Sequence, residues 1–191
     1  MATRKARFIV GVGGSAGGLS AYKALLSALP ANLNMAFVIV SHIVPTANSQ
    51  LALILSRHTK MRVVVAAHAM PVQPNHVYVC PPNTDLRIEN HVFDVVSPRS
   101  QRNVSIDVFL ISLAAAMGVH AIGVILSGYD GDGSEGCRQI KAGGGTTFAQ
   151  DESAEVDGMP LSAQATGCVD FVLPPDKIAG ALHKMAQRFG K

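Results

Sequence analysis

Two segments of the sequence, residues 35–42 and 121–128, are almost wholly apolar. A strand of this composition needs cover on both faces, as the central strands of a parallel sheet have. Helical patterns lie between several such runs, and strands that alternate with helices predict an α/β fold with a mostly parallel sheet. The predicted strands are 7–12, 35–41, 62–67, 76–80, 91–96, 121–126, 146–149 and 169–173. The predicted helices are 19–29, 47–58, 105–118, 133–142 and 176–188.

The middle of the chain has a different character. Residues 68–100 contain five prolines between short apolar runs and show no helical period. We predict a short antiparallel hairpin near residues 85–96, turning at Glu89–Asn90, as an antiparallel edge of the sheet. Neither a repeat nor a low-complexity linker divides the chain, so we expect one domain over residues 1–191.

Composition excludes several classes of function. The net charge is +3, and the basic residues are scattered without interleaved aromatics, which argues against nucleic-acid binding. The three cysteines are far apart and form no paired motif, so we expect neither a disulfide framework nor a zinc site. No apolar run approaches the ~18 residues of a membrane span. We therefore expect a cytoplasmic protein without membrane insertion.

A glycine-rich turn follows the first predicted strand, at residues 11–18. Gly11-x-Gly13 fits a dinucleotide-binding fingerprint, but the acid that should hold the ribose is missing, since no Asp or Glu occurs in residues 1–84. A phosphate-binding P-loop would need a lysine that is also missing. Gly13-x-Ser15-x-Gly17 instead has the form of a nucleophile elbow. A turn that only packs a helix on the sheet remains an alternative.

Two other predicted strand ends carry groups that a nucleophilic serine requires. His42 ends the second strand, and the turn at 126–133 carries Asp130 and Asp132. Because the carboxyl ends of parallel strands lie at one edge of the sheet, we expect a serine, a base and an orienting acid to meet there. The order Ser, His, Asp differs from that of the α/β-hydrolases. The spacing does not fit a calcium loop, whose twelfth position would be Lys141, so no metal is expected.

In this order and spacing the motifs resemble the catalytic domain of CheB-type chemotaxis protein-glutamate methylesterases, from about residue 8 to 185. The matching segments are 13–18, 41–45, 77–82, 105–108, 123–128, 132–133, 149–152 and 158–160. The resemblance implies a doubly wound α/β fold, with Ser15 as nucleophile, His42 as base and Asp132 as acid. It also implies demethylation of glutamate methyl esters on the cytoplasmic helices of chemoreceptors, and in many members deamidation of receptor glutamines, without a cofactor.

Two residues depart from the family's pattern. Ala16 stands where a threonine is usual, and Asp130 replaces a glycine. Asp130 either raises the pKa of His42 or faces solvent, and we expect the solvent-facing arrangement. Typical members also carry a phosphorylatable receiver domain, which we do not expect within residues 1–191. A receiver or methyltransferase domain would then belong elsewhere in the parent protein or system.

Further residues are candidates for supporting roles. The backbone N–H groups of Ala16 and Tyr129 are predicted to form the oxyanion hole. Arg102 and Met159 are candidate substrate contacts; the alternative is a surface arginine and a helix start with proline in its first turn. Two rival functions remain open: a catalytically idle CheB-like interaction module of a larger signalling protein, and a nucleotide binder.

Overall fold

The computed structural model of the protein describes residues 5–42 and 45–189, and the side chains at 45–49 lie outside that description. This part of the chain contains nine strands, six α-helices and one short 3-10 helix at Gly118–His120. The strands are β1 (Phe8–Gly14), β2 (Met35–Ser41), β3 (Arg62–Val65), β4 (His76–Val79), β5 (Asp85–Glu89), β6 (Val92–Val96), β7 (Ala121–Ile125), β8 (Thr146–Gln150) and β9 (Phe171–Leu173). The helices are α1 (Gly18–Ala28), α2 (Pro45–Ser56), α3 (Ser105–Met117), α4 (Ser134–Ala142), α5 (Gly158–Ala165) and α6 (Pro175–Phe189).

Seven of these strands form one parallel sheet in the order β3-β4-β2-β1-β7-β8-β9. Helices cover both faces, which confirms the predicted doubly wound α/β fold. The central strands are buried along their length because successive side chains enter opposite cores. In β2, for example, Phe37 and Ile39 pack towards α1, whereas Val38 and Val40 pack towards α3.

The glycines of β1 let a helix approach the sheet closely. A Cβ atom at Gly11 would lie 2.5 Å from the side chain of Leu110, and one at Gly13 would lie 2.5 Å from that of Ile106. Both contacts are far shorter than side-chain packing allows, so larger residues would push α3 away from β1. The Gly11-x-Gly13 pattern therefore lies inside a strand and packs against a helix. Strand β1 ends at Gly14, two residues beyond its predicted end at residue 12.

The predicted hairpin forms, but it turns at Asn90 and His91, one residue later than expected, and its place in the fold differs. Strands β5 and β6 pair antiparallel, with Ile88 opposite Phe93. They make a separate two-stranded sheet that packs on α3, and the expected antiparallel edge of the main sheet was wrong. The reason is that Leu86, Ile88 and Phe93 bury their side chains in the core beneath α3.

Helix α5 was absent from the predicted helices. It has only eight residues, which is too short for an apolar repeat to stand out, and it begins with Gly-Met-Pro. Among the described residues, no helix combines the length and the apolar character needed to cross a membrane.

Candidate active site

The three strands that precede the predicted site residues are neighbours in the sheet. Strand β1 lies between β2 and β7, with Gly14 paired to Ser41 and Gly13 paired to Ile125. The chain winds in opposite directions on either side of β1, and clefts of open α/β sheets form at such reversals, beyond the carboxyl ends of the strands. Ser15 and His42 each lie one residue beyond the Gly14–Ser41 pair. They are therefore adjacent at the edge where the turn after β7 also lies.

Backbone hydrogen bonds hold Ser15 at this edge. Its N–H donates to the Ser127 carbonyl at 2.8 Å, and its own carbonyl accepts from Gly18 at 2.9 Å. Gly17 then directs the chain into α1 with a φ of 74°, a left-handed value that glycine adopts without steric cost. Ser15 itself is half-buried, so a substrate can approach it.

The buried Ser127 side chain joins three segments around Ser15. Its hydroxyl donates to the Ala16 carbonyl at 2.7 Å and accepts from the Val156 N–H at 2.9 Å. Its backbone N–H donates to Gln150 Oε1 at 3.1 Å. The serine turn, the turn after β7 and the loop after β8 therefore meet on one side chain. Sequence reasoning included Ser127 in a family motif without assigning it a role.

His42 and Asp132 form a close, buried pair. His42 Nε2 lies 2.6 Å from Asp132 Oδ2, and the Asp132 side chain is fully buried. Because a carboxylate only accepts hydrogen bonds, Nε2 carries the proton and Nδ1 is the free basic nitrogen of the neutral ring. Two N–H groups from the first turn of α3 donate to the same carboxylate, Ile106 at 2.9 Å and Asp107 at 2.8 Å. The N-terminus of α3 therefore holds the Asp132 carboxylate in one orientation beside His42.

The side chain of Asp107 makes the reverse contact. Its Oδ1 accepts a hydrogen bond from Gly136 N–H at 2.7 Å, in the first turn of α4. Asp132, just before α4, thus binds the start of α3, while Asp107, in α3, binds the start of α4. Burial raises the pKa of Asp107 to about 6, against the lowering effect of the Gly136 hydrogen bond. The sequence analysis did not predict these reciprocal hydrogen bonds between the two carboxylates and the two helix starts.

Asp130 contacts the imidazole from its other side. Its Oδ2 lies 3.3 Å from His42 Nδ1, and its side chain is 30% exposed. Its Oδ1 accepts a hydrogen bond from Asp132 N–H at 3.0 Å. The expectation that Asp130 faces solvent was therefore wrong, because the turn's own backbone holds the carboxylate against the ring.

These charges decide the protonation of His42. Burial of the ring by itself lowers its pKa, but the hydrogen bond and charge of Asp132, together with the charge of Asp130, outweigh burial and raise the pKa. The Arg99 guanidinium opposes this rise. Arg99 lies on the loop after β6, where its backbone N–H donates to the Asn83 carbonyl at 2.9 Å. It is a charged group near the base that sequence reasoning missed, since no pattern links residue 99 to residue 42.

Comparison with known proteins identifies the family of the chain. A family model described as CheB methylesterase matches residues 10–182. The chain belongs to the CheB methylesterase family. The fold also matches the crystal structure of the Thermotoga maritima CheB methylesterase catalytic domain, with a TM-score of 0.86 and 31% identity over 93% of this chain and 98% of that one.

Curated CheB-type relatives differ in length. A protein-glutamate methylesterase/protein-glutamine glutaminase of Methanospirillum hungatei is 33% identical over 94% of this chain, which spans only 53% of that relative. A putative enzyme of the same name from Leptospira interrogans is 34% identical over 92% of this chain and 93% of its own length. The chain therefore spans about half of some relatives and nearly all of another. The family resemblance predicted from the motifs is confirmed, although the motif at 41–45 extends into residues 43 and 44, outside the described part of the chain.

The remaining predicted residues of the CheB-type site occupy different positions. No described residue accepts a hydrogen bond from the N–H of Ala16 or Tyr129, the two amides predicted to form the oxyanion hole. Arg102 is exposed in the loop before α3. Met159 is fully buried in the first turn of α5, and its N–H donates to the Gly128 carbonyl at 2.8 Å. Met159 thus supports the turn beside Ser15, as the helix-start alternative predicted, and is closed to a substrate in this conformation.

Proposed function

We propose that this chain hydrolyses glutamate methyl esters on the cytoplasmic helices of chemoreceptors, with release of methanol and through an acyl-enzyme on Ser15. The observation that carries the proposal is the buried His42–Asp132 pair, 2.6 Å apart, beside a serine at the carboxyl end of the adjacent strand. A serine, a base and an orienting acid are the groups that ester hydrolysis by acyl transfer needs. The names of the relatives support the choice of ester.

The protonation of the ring sets the order of proton transfers. Asp132 keeps a proton on Nε2, so Nδ1 takes the Ser15 proton as the hydroxyl oxygen attacks the ester carbonyl. The N–H groups of Ala16 and Tyr129 stabilise the oxyanion, a contribution of about 10²–10³ in rate for one such donor. Nδ1 then gives its proton to the departing methoxide. Water repeats the sequence on the acyl-enzyme and releases the glutamate.

The same acyl-enzyme accounts for a second reaction. A glutamine side chain attacked by Ser15 yields the same glutamyl ester, with ammonia as leaving group in place of methanol. The names of the relatives join both activities, as methylesterase and glutaminase. We include deamidation of receptor glutamines in the proposal for this reason.

Substitution of the nucleophile tests the proposal. Ser15→Ala should abolish methanol release from a receptor methylated by its cognate methyltransferase, because no other group accepts the acyl chain. Ser20→Ala, an exposed serine of α1, is the matched control and should keep full activity. Full activity of the Ser15 variant would refute the assignment.

Covalent labelling distinguishes an enzyme from an idle interaction module. A serine-directed fluorophosphonate should modify Ser15 in the unaltered chain, and peptide mapping should locate the adduct there. An idle module would leave Ser15 unlabelled and would release no methanol at any pH.

A further inference from the structure

The imidazole of His42 lies between two carboxylates. Asp132 Oδ2 is 2.6 Å from Nε2 and Asp130 Oδ2 is 3.3 Å from Nδ1, while the ring itself is 6% exposed. The two contacts differ in kind. Asp132 receives an aligned hydrogen bond, whereas among the described residues Nδ1 has no hydrogen-bond partner, so Asp130 acts on it through charge.

The position of Asp130 is set by its own turn. One carboxylate oxygen accepts the Asp132 N–H, which leaves the other directed at the ring. A backbone N–H of the same turn therefore orients the Asp130 carboxylate towards the ring. Arg99 is the one cation among the described residues that acts on the ring, so the charges facing His42 are Asp130, Asp132 and Arg99.

We propose that Asp130 is a positioning residue that binds the protonated His42 ring at Nδ1 and thereby competes with Ser15 for that nitrogen. In the neutral ring the Nδ1 lone pair faces a carboxylate, which is repulsive. In the imidazolium the Nδ1 proton faces the same carboxylate, which is attractive. The contact therefore favours the form of His42 that cannot accept a proton from Ser15.

The same contact acts in the opposite sense during the reaction. The ring becomes an imidazolium once Ser15 has attacked, and Asp130 then stabilises the charge that develops. Asp130 thus lowers the share of active enzyme in acid solution and raises the rate of the active form. Because this inference rests on the proposed function, its test needs one measurement that is independent of turnover.

The test compares Asp130→Asn and Asp130→Gly with the unaltered chain. Asparagine keeps an oxygen for the Asp132 N–H and removes only the charge; glycine removes both. Glu135→Gln is the matched control, since it removes one negative charge from the first turn of α4 and does not act on His42. The first measurement is an NMR titration of the His42 ring without substrate, assigned by its loss in His42→Gln. The second is the pH profile of methanol release.

Both Asp130 variants should titrate His42 at lower pH, and Glu135→Gln should not. At pH 6 the rate of methanol release, as a fraction of each protein's own plateau, should be about threefold higher in both Asp130 variants than in the unaltered chain; solvent screening of the partly exposed Asp130 limits the gain. Their plateau rate should fall by a few-fold. A purely structural role would change the rate by one factor at every pH. An unchanged His42 titration in both variants overturns the proposal. If the His42 titration shifts in the Asp130 variants but no protein, including the unaltered chain, releases methanol, the contact between Asp130 and His42 is supported. In that case only the methylesterase assignment is refuted.

Discussion

Replacement of Ser127 by alanine tests whether one buried hydroxyl holds the active-site turns together. The change removes two hydrogen bonds, to the Ala16 carbonyl at 2.7 Å and from the Val156 N–H at 2.9 Å. A neutral hydrogen bond contributes about 1 kcal/mol, and a buried partner left alone costs about 1–3 kcal/mol. Ala16 and Val156 are only half-buried, so water can satisfy part of the loss. We expect the free energy of unfolding to fall by about 2 kcal/mol.

Urea unfolding followed by far-UV circular dichroism measures this change, since the chain has no tryptophan to report by fluorescence. With a slope of about 2 kcal/mol per molar urea for a domain of this size, the midpoint should fall by about 1 M. Methanol release should also fall, by roughly tenfold to 100-fold, because the turn that carries Ser15 and Ala16 loses its anchor.

Ser20→Ala provides the reference, because its hydroxyl is exposed on α1 and such changes stay within about 0.5 kcal/mol. If Ser127→Ala unfolds at the same urea concentration as Ser20→Ala and keeps its activity, the hydroxyl does not organise the site. If Ser127→Ala loses methanol release but keeps its free energy of unfolding, the hydroxyl sets the geometry of the turn without stabilising the fold.

Two further substitutions separate the carboxylates. Asp132→Asn should lower methanol release by about 10⁴-fold, which is the loss known for an amide in place of a triad acid. The loss should be far larger than that caused by Asp130→Asn. The reverse ranking in the same assay would show that Asp130 is the orienting acid. Burial raises the pKa of Asp107 to about 6, so the folded protein holds this proton more tightly than the unfolded chain. The resulting stability is present below about pH 3.8 and is lost as the pH rises through about 6. Asp107→Asn should therefore reduce the fall in unfolding free energy between pH 4 and pH 7 in urea titrations, and an unchanged fall would mean that Asp107 keeps its ordinary pKa when folded.

Local patterns of apolar residues predicted most of the fold, because the burial of a strand or helix determines which of its positions are apolar. Residues 35–41 are apolar at nearly every position since both sides of β2 face a core, and this pattern appears in sequence whatever the strand order. The strand order and the place of the β5–β6 hairpin depend on contacts between distant segments. For that reason the hairpin was predicted with its turn displaced by only one residue, whereas its packing on α3 was not predicted.

The candidate site shows the same division. Ser15, His42 and the aspartate turn each follow a predicted strand, and parallel strands bring such positions to one edge. Asp107 and Ser127 were not assigned roles because their partners, at positions 136 and 16, lie far away in the sequence. Asp130 was expected to face solvent, since a charged side chain in a turn is usually exposed and interacts weakly with its neighbours. The hydrogen bond from the Asp132 N–H that turns it inwards depends on the backbone geometry of the turn.

The sequence by itself determined the fold class, the family and the three residues proposed to carry the chemistry, because these depend on residue types placed at strand ends. Only the tertiary structure decided the electrostatics of the base. Whether a carboxylate two residues from Asp132 meets solvent or His42 depends on ångström distances between turns that no spacing encodes. Charge interactions vary steeply with such distances and with burial, so the pKa of His42 belongs to the folded arrangement and not to any one motif.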